Sequence, residues 1–589
     1  MKFNKQIILL LALAGSLDAF SYDFAKSGIY YDIVSEEKQT VEVASNGNNT
    51  YSGKVSIKGT VEYDGKSYAV VGVGKSAFSG SDRLSAVTLP STLTYIADEA
   101  FYRCKSLVGV IIPEWVTSIG ASAFDGCASI ESIILPDKVS ELGKNTFARC
   151  AALKSATLSP AIANVPEGAF YGCTALEDIN IPEGVQTFGR QAFSYCEALA
   201  AITFPSTVTA LGDHLFTSCK NLTTVSLSEN LAELPSYCFA WCGSLKNIEL
   251  PAGLTAISDH AFTDCEMLER ISLPKGVKAI PDDVFGGCSS LSEVVMGDVE
   301  SIGSMAFYEC KSLTSIELPE TLKSIGTLAF YDCRLTSLTL PSSLMEVGYS
   351  AFDKCYLIAD ITIDASSEKV VFGCNPSNAG QFVRFDTSYL ERIVLGRDIS
   401  YYKDEISTNY SPFRDASGHL KEVVVGEDVT DAAVLCLNNK AALECVTFGS
   451  GLTYIPAMNK CEALKTIELK SSMPQMASEF TDAQYASVML YVPQGTRQYY
   501  AKAPIWGKFA NIVEKELSLA PSLGDNGVSV NAGNGALYVS GADGQPVAVY
   551  SATTGQNVYM TASYDGSSIS LASGVYIVKV ADRAVKVTL

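Results

Sequence analysis

The cysteines are the first residues whose type and spacing suggest chemistry. The chain has 17 cysteines, and in an exported protein such a number favours disulfides. Twelve recur at steps of 22 or 23 residues: Cys104, Cys127, Cys150, Cys173, Cys196, Cys219, Cys242, Cys265, Cys288, Cys310, Cys333 and Cys355. Equivalent residues of stacked repeats form a column about 5 Å apart, with side chains pointing one way. Because that arrangement does not give the dihedral angle of a disulfide, we predict buried free thiols.

The three histidines could bind zinc or serve in a catalytic triad. His214 and His260 occupy equivalent positions two repeats apart, in GDHLF and SDHAF, and the third is His419. Two repeat spacings place the first two roughly 10 Å apart, which is too far to share a zinc ion. No G-x-S-x-G motif supports a triad. We interpret His214 and His260 as turn residues beside Asp213 and Asp259.

Two other features are typical of enzymes. Residues 69–76, AVVGVGKS, resemble a phosphate-binding loop, but alanine replaces the first glycine and the segment aligns with the repeat. The carboxylates are scattered, without the paired arrangement of a glycosidase. The sequence therefore predicts a protein that is not an enzyme, with no catalytic residues, no metal and no cofactor.

A second periodic column, made of phenylalanines, indicates which structural elements position the cysteines and histidines. A phenylalanine lies three residues before each cysteine of the column, and one earlier repeat adds another. The members are Phe78, Phe101, Phe124, Phe147, Phe170, Phe193, Phe216, Phe239, Phe262, Phe285, Phe307, Phe330 and Phe352. A fixed period of this length indicates a solenoid, in which each unit buries its apolar side only against its neighbours.

One repeat, residues 107–127, shows the internal pattern: LVGVIIPEWVTSIGASAFDGC. Leu107, Val110 and Ile112 predict a short strand with one buried face, which Pro113 ends. A second apolar pair follows, and we interpret Gly120 as the residue that permits a tight turn after this pair. The closing segment Ala-Phe-x-x-Cys predicts one helical turn or a compact loop. The fold class is a β-rich solenoid of about 13 regular repeats plus degenerate ones.

This unit resembles the BspA-like leucine-rich repeats of surface proteins from Bacteroidetes and some protozoa. The resemblance covers about residues 72–364 and returns weakly at 420–425, 443–448 and 464–469. Residues 490–514 are similar to the family's terminal segment. The resemblance implies a cell-surface location, binding of host or matrix macromolecules, and no catalytic residues.

The segments outside the regular repeats complete the domain prediction. The predicted segments are a signal peptide at 1–21, an N-terminal β cap at 22–71, the regular solenoid at 72–364, an irregular insertion or degenerate repeats at 365–419, degenerate repeats with a C-terminal cap at 420–518, and a small β-sandwich at 519–589. Asn46-Gly47 and Asp64-Gly65 predict hairpin turns in the cap. The tail GVYIVKVADRAVKVTL is similar to type IX secretion sorting domains; a plain accessory domain is the alternative.

Charge and the N-terminus restrict location and partners. Lys2 and Lys5 precede a short apolar run, Ile7 to Ala14, which is typical of a secretory signal and too short to span a bilayer. The net charge of −21 disfavours binding to nucleic acid and to anionic lipid. We therefore predict a secreted or cell-surface protein, without membrane insertion of the mature chain, whose partner is an extracellular protein or glycan.

Aromatic residues between the phenylalanine and cysteine columns are the candidate binding residues, because amphipathic rings are favoured in recognition surfaces. They are Tyr102, Tyr171, Tyr195, Trp241, Tyr308 and Tyr331. The functional hypothesis is an adhesin-like binding protein. The alternatives are an envelope or biofilm scaffold that self-associates and, less favoured, a glycan-degrading enzyme.

Overall fold

The computed structural model describes residues 22–45, 47, 51–375, 378–382, 385, 387–401, 412–414, 416, 418–515, 522–523, 528–533, 536–540, 547–551, 557–561, 569–571, 575–580 and 583–588. The predicted signal peptide lies outside them. The chain divides into two compact units, Met1–Glu444 with Gly451–Ala463 and Cys445–Ser450 with Leu464–Leu589. Among the described residues, no helix has the length and apolar character that a membrane span requires.

The first unit is a solenoid whose coils contribute two rows of short parallel strands. The first strand row is Ser52–Ser56, Arg83–Thr88, Ser132–Ile134, Ser155–Thr157, Asp178–Asn180, Ala201–Thr203, Thr224–Ser226, Arg270–Ser272, Glu293–Val295, Ser337–Leu340, Asp360–Ile363, Arg392–Arg397 and Glu422–Asp428. Equivalent residues of successive coils pair in register, as Ile133 pairs with Ala156. In the three-residue strands the central residue faces the core and its neighbours face outward.

The second strand row consists mostly of two-residue strands. Its members are Thr40–Val43, Lys66–Val73, Tyr95–Ile96, Ser118–Ile119, Glu141–Leu142, Asn164–Val165, Thr187–Phe188, Glu233–Leu234, Ala256–Ile257, Ala279–Ile280, Ser301–Ile302, Ser324–Ile325, Glu346–Val347, Val370–Phe372 and Ile399–Tyr401. The predicted strand at 107–112 is not formed as a regular strand, although Leu107 and Ile112 are buried there as expected.

The turn row, which contains the Ala-Phe-x-x-Cys segments, joins the coils by backbone hydrogen bonds. In the coil of Phe101, the N–H groups of Glu99, Phe101 and Arg103 donate to three carbonyl groups of the next coil at 2.7–2.8 Å. Glu99 and Arg103 are left-handed, with φ of 55° and 57°. Of the two predicted alternatives, the compact loop is the one formed, because left-handed residues on both sides of the phenylalanine exclude a regular helical turn.

The two left-handed positions recur in all thirteen regular coils. Two residues before the phenylalanine they are Ser76, Glu99, Ser122, Asn145, Gly168, Gln191, His214, Tyr237, His260, Asp283, Met305, Leu328 and Ser350. Two residues after it they are Gly80, Arg103, Gly126, Arg149, Gly172, Tyr195, Ser218, Trp241, Asp264, Gly287, Glu309, Asp332 and Lys354. Each non-glycine residue in this conformation costs about 1 kcal/mol.

The phenylalanine column forms a continuous ladder of stacked rings in the core. Successive rings from Phe78 to Phe352 are 5.1–5.6 Å apart and within 2–19° of parallel. All are at most 1% exposed. Tyr51 packs on the first ring at 4.6 Å. The prediction of a stacked repeat is confirmed.

The cysteine column lies beside the ladder and is buried without disulfides among the described cysteines, as predicted. Each of the twelve thiols donates a hydrogen bond to the phenylalanine carbonyl of the preceding coil, at 3.0–3.3 Å. Serine would offer a stronger donor, but its hydroxyl is more costly to desolvate. The thiol therefore satisfies a buried carbonyl at little desolvation cost.

The glycine after the second strand row has a different role from the one predicted. Gly120 and Gly143 do not have positive φ, so they are not required for a left-handed turn. Instead, a Cβ on Gly143 would lie 2.2 Å from the backbone nitrogen of Ala121 in the preceding coil. The same close approach to backbone atoms of the preceding coil recurs at Gly189, Gly212, Gly303, Gly326 and Gly348. Glycine at this position lets successive coils interlock.

Gly143→Ala should destabilise the solenoid by about 1–3 kcal/mol, because the added methyl group separates two backbones that cannot rearrange independently. Gly109→Ala is the matched control, since a Cβ there meets nothing within 4 Å. Urea denaturation followed by circular dichroism gives both values. Equal midpoints for the two variants would contradict the interlocking role.

The N-terminal residues extend both strand rows beyond the regular repeats. The predicted Asp64-Gly65 hairpin is formed between Thr60–Tyr63 and Lys66–Val73, with both turn residues at positive φ. The turn predicted at Asn46-Gly47 lies partly outside the described residues. The strands that flank it, Thr40–Val43 and Ser52–Ser56, belong to different strand rows. An antiparallel pair, Phe24–Lys26 and Ile29–Ser35, continues the second row.

The irregular segment 365–419 contains further coils. Phe385 stacks on Phe352 at 5.6 Å, and Phe413 stacks on Phe385 at 5.5 Å. A short antiparallel pair, Cys374–Asn375 with Asn378–Phe382, is inserted. The ladder therefore continues into this segment, and its assignment as an irregular insertion or as degenerate repeats stays a prediction. After this segment, the first unit includes a 3-10 helix at Ala433–Leu435 and the strand Tyr454–Ile455.

The second unit begins with four parallel strands, Cys445–Phe448, Thr466–Leu469, Met489–Pro493 and Asn511–Lys515. It also has a strand at Met476–Ala477, helices at Asp482–Ser487 and Arg497–Tyr500, and a 3-10 helix at Trp506–Lys508. Trp506 is buried and donates its indole N–H to the carbonyl of Gln475 at 2.7 Å.

The C-terminal residues form two antiparallel sheets. One contains Ser522–Leu523, Val528–Gly533, Ala536–Ser540 and Ile569–Ser570, and the other contains Asn557–Thr561, Val547–Ser551, Val575–Val580 and Arg583–Thr588. Side chains of both sheets, including Leu537, Val549 and Val578, share one apolar core. The sorting role of this segment remains a prediction.

Candidate binding surfaces

The turn row presents one face of the solenoid to solvent, here called the turn face. Its exposed side chains come mainly from the second residue after each phenylalanine, where the left-handed backbone directs the side chain outward. Tyr195 and Trp241 occupy this position and are 42% and 43% exposed. The first residue after the phenylalanine is less accessible, and Tyr102, Tyr171, Tyr308 and Tyr331 are half-buried there.

The six predicted binding residues form separate groups along the turn face. Tyr171 and Tyr195 make an edge-to-face contact at 5.5 Å, and Tyr308 stacks on Tyr331 at 5.0 Å. The guanidinium of Arg103 lies over the ring of Tyr102. These groups are several coils apart, so a single small ligand cannot contact all six.

Trp241 belongs to a larger aromatic group that the sequence interpretation missed. The ring of Tyr237 lies between the rings of His214 and His260, at 4.6 and 4.4 Å and within 10° of parallel. Trp241 is 6.2 Å from Tyr237 and tilted by 14°. We call His214, Tyr237 and His260 the ring stack. All three occupy the left-handed position two residues before a phenylalanine of the ladder. Their equal spacing of 23 residues is the sequence signal that could have identified the group.

Carboxylates surround one end of the ring stack. Nδ1 of His260 is 2.8 Å from Oδ2 of Asp283. The pKa of Asp264 is raised, first by burial and then by the nearby carboxylate of Asp283, while a hydrogen bond from Trp241 opposes the shift. At the other end, burial lowers the pKa of His214, and the charge of Arg190 adds to this effect. The carboxylates of Asp264 and Asp283 therefore disfavour an additional negative charge beside Trp241.

A second surface includes the strand Ser132–Ile134 of the first row and the irregular segment 108–115 of the preceding coil. Four apolar side chains are exposed there: Val108 by 56%, Ile111 by 88%, Trp115 by 57% and Ile134 by 70%. We call them the apolar patch. Most outward positions of this row are small or polar; they include Thr157, Asn180, Thr203, Ser226, Glu249, Ser272, Glu317 and Thr339. Ile111 and Ile134 occupy the same column and interrupt that pattern, which the sequence interpretation did not weigh.

A groove borders the apolar patch. It has a volume of about 510 Å³ and is lined by residues that include Val87, Thr88, Ile111 and Trp115. The ammonium group of Lys138 lies 3.1 Å from the centre of the Trp115 ring. This cation–π contact holds the indole against the neighbouring coil. A larger cavity of about 820 Å³ on the same face is lined by Glu249, Arg270 and Lys275 among others, and is therefore more polar.

Parallel strand rows, stacked phenylalanines and buried thiols define a leucine-rich repeat solenoid. The family described as "BspA type Leucine rich repeat region" matches in 6 copies over residues 72–200, 186–301 and 294–375. The chain therefore belongs to the BspA-type leucine-rich repeat family, as the sequence resemblance implied.

A solved structure supports the fold assignment. A leucine-rich repeat protein from Bacteroides ovatus is 29% identical with a TM-score of 0.52, over 65% of this chain and 100% of that chain. A leucine rich cell surface protein from Faecalibacterium prausnitzii is 24% identical with a TM-score of 0.41, over 58% of this chain and 95% of that chain. Among curated proteins, none matches this chain.

Proposed function

We propose that this chain is a non-enzymatic, secreted or cell-surface protein that binds an extracellular protein through the apolar patch. The observation that carries the proposal is the exposure of Ile111 and Ile134 beside Trp115, on a face where most outward positions are small or polar. Contiguous exposed apolar side chains mark protein–protein interaction sites, and tryptophan is enriched among the residues that dominate binding energy. Membership of the BspA-type family and the signal-like N-terminus support a surface location.

The charge of the chain indicates the kind of partner. The net charge is −21, and Glu114, Glu131 and Asp137 lie close in sequence to the apolar patch. Long-range attraction favours a partner whose contact surface has apolar side chains at its centre and basic residues around them. Binding should therefore weaken at high salt while retaining a salt-independent part from apolar contact.

Binding of the mature chain, from about residue 22, to immobilised matrix proteins, mucins and glycans tests this function. At least one protein should bind saturably, and the double variant Ile111→Ser/Ile134→Ser should lower its affinity at least tenfold, by about 1.4 kcal/mol or more. The melting temperature should not change, because both side chains are already exposed. Surface plasmon resonance at low and high salt measures the affinities.

Val295→Ser is the matched control, since Val295 is 50% exposed at the end of another strand of the same row. Loss of binding in the control, or unchanged binding in the double variant, would contradict the assignment of the patch. The double variant Tyr308→Ala/Tyr331→Ala, measured in parallel, tests the turn face as the alternative binding surface. Its affinity should fall, with an unchanged melting temperature, only if the partner contacts those rings.

Two further measurements separate the other hypotheses. Concentration-dependent self-association in sedimentation, lost in the Ile111→Ser/Ile134→Ser variant, would favour a self-assembling scaffold whose partner is a second copy. Release of reducing sugars from mucin or polysaccharide by the purified chain would contradict the non-enzymatic assignment. A monomer that binds a matrix protein and releases no sugar is the expected result.

A further inference from the structure

The first strand row is interrupted at the coil that carries most of the apolar patch. Residues 107–112 lie between the strands Arg83–Thr88 and Ser132–Ile134 of this row, yet they form no strand. Gly109 stands 23 residues before Ser132, at the equivalent position of its coil. A glycine has no side chain to pack on a neighbouring strand and weakens strand formation. The interruption therefore follows from the sequence of this coil.

Backbone groups at the interruption lack the hydrogen bonds that join regular coils. In a regular pair of coils, the N–H of Leu135 donates to the carbonyl of Thr157 at 3.0 Å. The equivalent bond, from the N–H of Leu89 to the carbonyl of Ile111, is not formed. The N–H of Ile111 likewise has no backbone partner among the described residues. Unpaired N–H and C=O groups on a strand edge are a template for pairing with another chain.

The groove of about 510 Å³ lies at this interruption. Val87 and Leu89 line one side, and Ile111 and Ile112 line the other. Its volume is within the range of ligand-binding clefts. Two further cavities, of about 820 and 390 Å³, border residues 245–250, where the strand of this row is also missing. These three cavities therefore lie where strand pairing between coils is lost.

The side chains around the groove indicate which ligand it fits. Ile111 and Trp115 are 88% and 57% exposed at its edge. The cation–π contact of Lys138 holds the indole of Trp115 in place before a ligand binds, which lowers the entropy cost of binding. Glu114 also lines the groove, is exposed, and has no ion-pair partner among the described residues. Apolar side chains beside one unpaired carboxylate are complementary to a ligand that is both apolar and basic.

We propose that this groove binds an extended peptide segment of the partner, with apolar and basic side chains, by backbone pairing. The peptide lies along the groove, and its backbone bonds the open groups of Leu89 and Ile111. Its apolar side chains contact Ile111 and Trp115, and a lysine or arginine pairs with Glu114. The partner segment has no regular structure of its own, because its backbone groups must be available. The inference rests on the proposed function, since it states which part of a partner the apolar patch recognises.

A phage-displayed library of random linear peptides, about twelve residues long, tests the proposal when it is selected on the full mature chain. Selected peptides should be rich in apolar residues and contain at least one lysine or arginine. They should bind saturably in fluorescence anisotropy. N-methylation of a central amide should weaken binding at least tenfold, because it removes a backbone donor, whereas N-methylation at the peptide ends should have little effect.

Variants of the chain locate the peptide. Trp115→Ala should weaken binding at least tenfold, and Glu114→Gln should reduce its salt dependence. Ile134→Ser is the matched control, because Ile134 is 70% exposed on the apolar patch but does not line the groove. Its affinity for the selected peptides should change by less than about twofold. Circular dichroism checks that each variant is folded.

Three results would overturn the proposal. They are a library that yields no binding peptide, full affinity after N-methylation of every central amide, and equal losses in Trp115→Ala and Ile134→Ser. If linear peptides fail while a folded matrix protein still binds through Ile111 and Ile134, the proposed function stands without this inference. If peptides and matrix proteins both fail, the apolar patch is not a binding surface and both proposals are wrong.

Discussion

Raising the pH above about 9 should unfold the solenoid through its buried thiols. The ordinary thiol pKa is 9.0, and burial raises the pKa of Cys104, Cys173 and Cys219 to about 12. Below pH 9 the thiols are protonated in both the folded and the unfolded chain, so they add no pH dependence. Between about pH 9 and 12 the unfolded chain loses protons that the folded chain retains, so stability falls as the pH rises.

The expected size of this effect is large because the thiols form a column. Each thiol lowers the free energy of unfolding by about 1.4 kcal/mol per pH unit in that range. A group of four neighbouring coils that opens together therefore loses about 6 kcal/mol per pH unit, which is comparable to the stability of a typical domain.

Circular dichroism and thiolate absorbance at 240 nm, recorded together during an alkaline titration, measure this effect. Both signals should change over the same pH range, because a thiolate forms only when its coil opens. Thiolate absorbance that rises near pH 9 while the circular dichroism stays constant would show that the thiols are accessible in the folded chain. Cys219→Ala provides a control, since it should reduce the slope by about 1.4 kcal/mol per pH unit.

Phe193→Ala should destabilise the centre of the solenoid by about 3–5 kcal/mol. The ring of Phe193 is fully buried and stacks on Phe170 and Phe216, each at 5.6 Å. Alanine would leave a cavity that the neighbouring rings cannot fill, because their own turns are fixed by hydrogen bonds between coils. Since each coil contacts only its neighbours, the loss should be concentrated near the substitution.

Thiol labelling in mild denaturant locates this loss, because each coil carries its own cysteine. In Phe193→Ala, Cys196 and Cys219 should react with a thiol reagent well before the distant Cys310. Tyr195→Ala is the matched control two residues away, and its effect should stay within about 0.5 kcal/mol because the side chain is exposed. Uniform labelling along the column would indicate that the solenoid unfolds as one cooperative unit instead.

The periodic residues predicted the solenoid because one pattern repeats at nearly constant spacing. Phe385 and Phe413 escaped this reasoning, although they continue the ladder, because insertions lengthen their coils to spacings of 33 and 28 residues. A periodic pattern shows only what recurs at the same distance. The ladder therefore extends further than the regular repeats.

The candidate surfaces were less predictable because they depend on exceptions to the pattern. Trp241 and Tyr195 were identified from their type and position, but the contribution of Tyr237 depends on ring orientations that spacing does not give. The exposure of Ile111 likewise follows from the direction of one side chain in a row of similar strands. The sequence predicts the interlocking glycines as turn residues. Their steric role depends on the distance between coils, which the spacing of residues in the sequence does not give.

The left-handed turn positions have a consequence for how this scaffold can diversify. Only five of the twenty-six are glycine, so twenty-one side chains are kept in a conformation that glycine would relieve. Glycine relieves this conformation where the side chain makes no other contact, so random drift without selection for a surface should accumulate glycine at such sites. Most of these sites carry side chains that are at least partly exposed, so exchanges among them alter the surface while the interior packing stays constant. A library randomised at these turn positions should yield many folded variants with different ligands, whereas one randomised at the ladder should yield few.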